Sequence, residues 1–436
     1  MLHARSLLAV VSATLALCPA VASAQESRIA SLREAGHDGA STLQLGRAMR
    51  RAGRFDEAVR TLQGVRDAAL RNDALWEIAR VRFDQGVFQA ARGACMTFPM
   101  PRNNPAAGFM RHVCMGRAYL VWNRVALAER EIAAARAINP NDGELQLVIA
   151  DSRRLASDLP GAEAAYHAAA TAMPGRDDAL LGLGQLYEMF QQLDRAQDHY
   201  TQALAAQPDD PAALLAVGRF LLRRRERPAD AIPHLRSAVQ NRPHWAEALA
   251  LYGDALLATG AHAEALTALQ EAAQLSPTQP GVQSALGRTL VALGRFQEAE
   301  VPVRRAIQLV NTDASAHMAL ADLLEHTQRE TEAMGAWDAA IDRAPSDMTP
   351  RLRAAELAHR THQNALARAY LDRVLTDDPN SARALMLRGT IAMEDGDRAA
   401  ARQFLDQSLH GNGEIDRAAV QRMITELDTP PRTRRR

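Results

Sequence analysis

The chain has 436 residues with 51 basic and 51 acidic side chains, so its formal net charge is zero and it lacks the basic footprint that nucleic-acid binding requires. Apolar residues make up 47% and aromatics only 4%, with alanine abundant, which suits closely packed helices and argues against an all-β fold. There is no lysine, which excludes Schiff-base and Walker-type lysine chemistry.

Residues 1–24 read as an export signal. His3 and Arg5 precede an apolar run from Leu7 to Leu17, and Ala22-Ser23-Ala24 offers small residues for cleavage before Gln25. The run is too short to span a bilayer comfortably. A lipoprotein signal at Cys18 would place a small residue where Leu17 stands. The mature chain is therefore expected outside the cytoplasm, in the periplasm or at the outer-membrane periphery of a bacterium. Residues 25–38 are expected to form a linker or a short helix. Export would leave Cys95 and Cys114 in an oxidising compartment, on consecutive helices joined by the proline-rich run Phe98 to Pro105. Either a disulfide or two buried thiols fits that placement.

From Pro140 onward the chain repeats about every 34 residues. Ala150, Gly184, Gly218, Gly253, Gly287, Ala321, Ala355 and Gly389 mark one phase. Ala162, Ala196, Ala265, Ala299, Ala333, Ala367 and Ala401 mark a second, and Pro140, Pro174, Pro208, Pro243, Pro277, Pro345 and Pro379 a third. A fixed period of this length means a stack of identical supersecondary units. Within Ala246 to Gln279, Leu249, Tyr252, Gly253 and Leu256 define a first helix. Gly260 closes it, Ala265, Leu269 and Ala272 carry a second helix, and Pro277 stops that one. The small residues let the two helices of a unit approach closely. Asn141-Asp142, Asp177-Asp178, Asp209-Asp210, Thr312-Asp313 and Ser346-Asp347 stand between units as turn and N-cap residues.

The unit Asp177 to Asp210, with Leu180, Leu183, Gly184, Tyr187, Ala196, Tyr200, Ala203 and Pro208 in place, resembles the tetratricopeptide repeat. Eleven such units begin near Gly39, Asn72, Phe109, Gly143, Asp177, Pro211, Ala246, Pro280, Ala314, Met348 and Ala382. The resemblance implies an all-α, right-handed superhelical solenoid over residues 39–414. Ile415, Ala419, Met423 and Leu427 lie four apart and predict a capping helix over residues 415–428. Residues 429–436 form a basic tail, expected to be disordered and solvated, with contact to an acidic surface or anionic lipid as the alternative.

No phosphate-binding glycine loop, Cys-x-x-Cys, His-Glu-x-x-His or Gly-x-Ser-x-Gly occurs. Signal, repeats, cap and tail leave no room for a separate catalytic domain, and no enzyme activity or cofactor is expected. The one cluster with metal-ligand chemistry is Glu325, His326, Glu356, His359 and His362. The resemblance further implies that each first helix lines a concave groove. One groove position per unit is then Arg117, Asp151, Gln185, Arg219, Asp254, Arg288, Asp322 and Glu356. Four residues earlier run Val113, Leu147, Leu181, Leu215, Ala250, Ser284, Met318 and Leu352. Two readings fit: a peptide carrying both signs held along an apolar strip, or an apolar row sunk in the core beneath charges that keep the face wet. With no lysine and no asparagine in these rows, a clamp for a C-terminal carboxylate of the family's known type is not expected. The expected function is a protein- or peptide-binding scaffold in secretion, pilus or envelope assembly. The alternatives are a metal-binding or enzymatic protein using the Glu325/His326/Glu356/His359 cluster, and a purely structural spacer.

Overall fold

The computed structural model describes residues 24–35, 38–99 and 108–428. The leader, most of the proline-rich connection and the basic tail lie outside the described residues. Among the described residues there are twenty-four α-helices and no strand, only an isolated bridge between Ser381 and Asn412. After α1 (Ala24–Glu34), the helices run in pairs, a first helix A and a second helix B. The pairs are α2 (Gly39–Arg51) with α3 (Phe55–Gln63), α4 (Arg71–Asp84) with α5 (Phe88–Met96), α6 (Phe109–Val121) with α7 (Val125–Ile138), and α8 (Gly143–Leu155) with α9 (Leu159–Ala172). They continue as α10 (Asp178–Met189) with α11 (Leu193–Ala206), α12 (Pro211–Arg223) with α13 (Pro228–Asn241), and α14 (Ala246–Ala258) with α15 (His262–Leu275). The last four are α16 (Pro280–Ala292) with α17 (Phe296–Leu309), α18 (Ala314–His326) with α19 (Glu330–Arg343), α20 (Thr349–Arg360) with α21 (Asn364–Asp377), and α22 (Ala382–Glu394) with α23 (Arg398–Leu409). α24 (Arg417–Asp428) follows. That makes eleven pairs, each A helix starting within one residue of the position the period predicts.

Two local rules recur along the pairs. The first is close approach at the small position. Within a pair, a Cβ on Gly184 would stand 2.5 Å from the Tyr200 ring, and between pairs one on Gly182 would stand 2.2 Å from the Tyr166 ring of the preceding helix B. The aromatic of helix B thus fills the space a side chain on helix A would take. The second rule is a left-handed residue in every A–B turn. Gly53, Gly86, Gly260, Gly294 and Gly396 supply it in five turns. In the other six, Asn123, Ser157, Gln191, Glu226, Gln328 and His362 adopt φ between 53° and 60° instead. For a non-glycine residue this conformation costs about 1–2 kcal/mol, which the packing of the two helices must offset.

The chain divides into two compact units, residues 1–260 and 261–436. In the first, Trp76, Phe98, Ile132, Leu145, Tyr166, Leu183, Tyr187, Tyr200, Phe220 and Leu235 form one continuous buried core. Cys95 on α5 and Cys114 on α6 are joined by a disulfide, with Cα atoms 5.4 Å apart. In the second unit, Leu323, Trp337 and Leu357 anchor one cluster and Leu371, Val374 and Ile391 another. α24 closes its end by burying Val420 and Ile424 against Leu405.

A charged chamber inside the first unit

The first unit turns back on itself. Gln25, at the start of α1, donates from Nε2 to the Asp209 carbonyl at 3.2 Å. Arg51, at the end of α2, donates to Gln207 Oε1 at 3.0 Å and lies 3.2 Å from Asp210 Oδ2. Arg242, before α14, packs on Gly53, with its Cγ 3.1 Å from where a Cβ would sit. Its guanidinium lies 4.9 Å from the Phe55 ring centre and 4.2 Å from that of Trp245. The first pair and α1 therefore meet the turns on either side of α12 and α13, and residues of α2, α4, α6, α10, α12 and α14 with the adjoining turns line a cavity of about 490 Å³.

The cavity wall carries seven arginines and six carboxylates. Most of them neutralise one another. Arg47 donates to Glu77 at 2.9 Å, Arg50 to Asp84 at 2.6 Å and Arg80 to Asp178 at 2.8 Å. Arg176 grips Asp178 from the preceding turn at 2.5 Å and also reaches Glu144. Burial opposes ionisation of Asp178, yet Arg80, Arg176 and Arg117 outweigh it and hold the carboxyl far below its usual range. Glu77 is likewise held low, against burial, by Arg80, Arg50 and Arg47.

Three groups depart from this balance. Asp177 is the N-cap residue of α10 but makes no side-chain cap bond. Every other aspartate at an assigned N-cap among the described helices, namely Asp38, Asp142, Asp158, Asp210, Asp313 and Asp397, accepts from its own first turn. Asp177 is only 6% exposed, lines the cavity, and its Oδ2 has no hydrogen-bond partner. Burial, then Asp210 and Asp178, push its carboxyl up to about 7, and Arg51 offsets this only in part. Arg117 and Arg242 have no carboxylate within ion-pair distance among the described residues. Arg117 sits 5.7 Å from the Phe83 ring centre, and the Arg242 cation is disfavoured by burial, with Arg50 adding to the penalty.

The eight groove positions of the sequence analysis are placed as follows. Arg117 lines the chamber. Asp151 accepts from the Tyr166 hydroxyl at 2.6 Å, within its own pair. Gln185 and Arg288 are half-buried. Arg219 lies 3.5 Å from Glu247 of the next A helix, and Asp254 is gripped by Arg223 of the previous one. In the second unit Asp322 accepts from Arg353 at 2.6 Å, and Glu356 accepts from Arg383 through both oxygens, at 2.5 and 2.8 Å. These charges are thus largely spent on partners one repeat away. The row four residues earlier is mostly core: Val113, Leu147, Leu215, Ala250 and Ser284 are buried, while Leu181, Met318 and Leu352 are half-buried. The charged row also continues further than the sequence analysis took it. Arg80 and Arg47 follow the small residues Ala79 and Gly46 as Arg117 follows Gly116, and this spacing was the signal that could have found the chamber.

The histidine cluster is dispersed. Glu325 accepts from Trp337 Nε1 at 2.7 Å and from Arg360 at 2.6 Å. His326 stacks on Phe296 with ring centres 4.4 Å apart, and His359 Nδ1 lies 3.1 Å from Asn364 Oδ1. His362 is the left-handed turn residue of its pair. Glu356 is engaged by Arg383, so the acids that would hold a metal hold arginines instead. Among the described residues no three His, Cys, Asp or Glu side chains converge as a metal site.

A tetratricopeptide repeat profile matches residues 43–96, 147–211, 181–244, 221–280 and 352–418, and a second one matches residues 256–323. The chain belongs to the tetratricopeptide repeat family. No curated protein matches it in sequence. Among solved structures, it is similar to a tetratricopeptide repeat protein from Parabacteroides merdae, at 17% identity over 58% of this chain and 99% of that one, with a TM-score of 0.45. It is also similar to a chain of the APC/C hetero-tetramer Cut9-Hcn1, at 14% identity over 92% and 87% with a TM-score of 0.47. A third likeness is to pilF of Pseudomonas aeruginosa, at 22% identity over 48% and 94% with a TM-score of 0.41. Tetratricopeptide repeats bind proteins or peptides, and no described helix is long and apolar enough to cross a membrane.

Proposed function

We propose that this protein is an exported, non-enzymatic scaffold that organises other proteins at the bacterial cell envelope. The observation that carries the reading is that repeats occupy the described chain from Gly39 to Leu409, with no inserted domain. A stack of this kind offers an extended surface that folds without a ligand. The leader-like segment before Gln25 supports export, and the Cys95–Cys114 disulfide suits an oxidising compartment. The test has two arms. Fractionation with N-terminal sequencing should recover an envelope protein that begins at Gln25. Crosslinking in intact cells, read by mass spectrometry, should recover the same partners repeatedly, attached to A-helix residues. A chain that stays in the cytoplasm sinks the export reading, and crosslinks no different from those of an unrelated envelope protein sink the scaffold reading.

A further inference from the structure

The chamber of the first unit departs from the rest of the molecule. Along the A helices, acid and arginine pair one repeat apart, so a charge facing inward finds its partner within the chain. Three chamber groups do not. Asp177, a residue of the cavity wall, gives up the capping role that its counterparts keep and leaves a buried oxygen unpartnered. Its acidic neighbours Asp178 and Asp210 repel any second negative charge there. Arg117 acts electrostatically on Asp178, and Arg242 feels Asp84 and Asp210, yet each is without an ion pair of its own. Asp177, Arg117 and Arg242 thus line one space of about 490 Å³, which is the size of a small-molecule site. Burying a carboxylate oxygen without a donor is costly, and such a cost persists in a folded protein where a ligand removes it.

We propose that this chamber captures a small zwitterion, an amino acid or short peptide, whose ammonium group meets Asp177 and whose carboxylate meets Arg117 and Arg242. An ammonium supplies the hydrogen-bond donors that the free Asp177 oxygen lacks. Guanidiniums beside aromatic rings suit a planar carboxylate, which they hold with paired N–H groups. A purely anionic ligand would leave Asp177 opposed, and a purely cationic one would stand against the two arginines. The inference goes beyond the scaffold reading and does not depend on it: a scaffold with an empty chamber still crosslinks to partners.

The experiment is titration calorimetry on the purified full-length mature chain at pH 8. The probes are glycine, L-arginine, L-glutamate, trialanine, and trialanine blocked by N-acetylation or by C-amidation. Binding of trialanine, weakened at least tenfold by either block, is the expected result for a peptide. Binding of a free amino acid without trialanine gives the same chemistry from the smaller source. Asp177→Asn and Arg117→Gln should each weaken the bound probe at least tenfold. The Arg117 variant breaks no ion pair and leaves Arg80 and Arg176 on Asp178, and circular dichroism of both variants checks that they fold. No binding by any probe at millimolar concentration overturns the proposal. So does equal binding of blocked and free trialanine, or full affinity in both variants. Crosslinks showing only a partner protein's segment seated in the chamber would also overturn it.

Discussion

Replacing Asp177 with asparagine removes a charge while keeping the shape, and the sign of its effect follows from the chamber. Burial and the neighbouring Asp210 and Asp178 push the carboxyl up to about 7 in the folded chain, against about 3.9 in an unfolded one. A raised carboxyl favours the protonated form in the native state, so ionisation works against folding. The penalty is absent below about pH 4, where both states are protonated, grows between about pH 4 and 7, and is complete above that. About three units at 1.36 kcal/mol each set it at about 4 kcal/mol at pH 8. Asp177→Asn should therefore stabilise the first unit by up to about 4 kcal/mol at pH 8 and by almost nothing at pH 4. For a cooperative unit of this size, each kcal/mol raises Tm by roughly 2–4 °C. Thermal melts by circular dichroism at several pH values read the difference. A gain that is absent at pH 8, or equally large at pH 4, would refute the reasoning. A stabilised variant that has also lost its ligand would show strain kept for function.

Other outcomes are open to measurement. Gly184→Ala forces a methyl into the Tyr200 ring and should cost about 1–3 kcal/mol in urea unfolding, whereas Gly335→Ala, on an exposed helical site with nothing within 4 Å, should be neutral or stabilising. Ser157→Gly relieves a left-handed turn at φ 60° and should add about 0.5–1 kcal/mol by the same assay. Reduction of Cys95–Cys114, which closes a loop of 19 residues, should cost about 3 kcal/mol in the melt of the first unit. Arg242→Ala removes two guanidinium–ring contacts at the closure, each worth about 0.5–2 kcal/mol, and should raise amide hydrogen exchange in α1 to α3 but not in α8 and α9.

The repeat was legible because its signals are local. A small residue, an alanine and a proline at fixed offsets describe a helix pair without reference to anything distant, and Asp142, Asp210 and Asp313 cap the helices they precede. The chamber was not legible for the opposite reason. Arg51 meets Asp210 across more than a hundred intervening residues, and no period announces where a stack returns to its start. The groove charges were located by position, but their fate was hidden: Asp322 and Glu356 look like ligand-binding residues until Arg353 and Arg383 are seen reaching them. His362 was misleading in a third way. Its imidazole suggested chemistry, while its backbone does what Gly260 and Gly396 do in other turns.

The contacts that join Gln25, Arg51 and Gly53 to the far side of the first unit also bear on how such a chain can evolve. An open array tolerates gain or loss of a module, since each one touches only its neighbours. Here the modules from α2 to α13 form a circuit, and one hairpin more or fewer would carry Arg51 past Asp210 and leave Arg242 facing nothing it fits. Copy number in this half is fixed by geometry, and duplications or deletions that such genes readily acquire should survive only outside it.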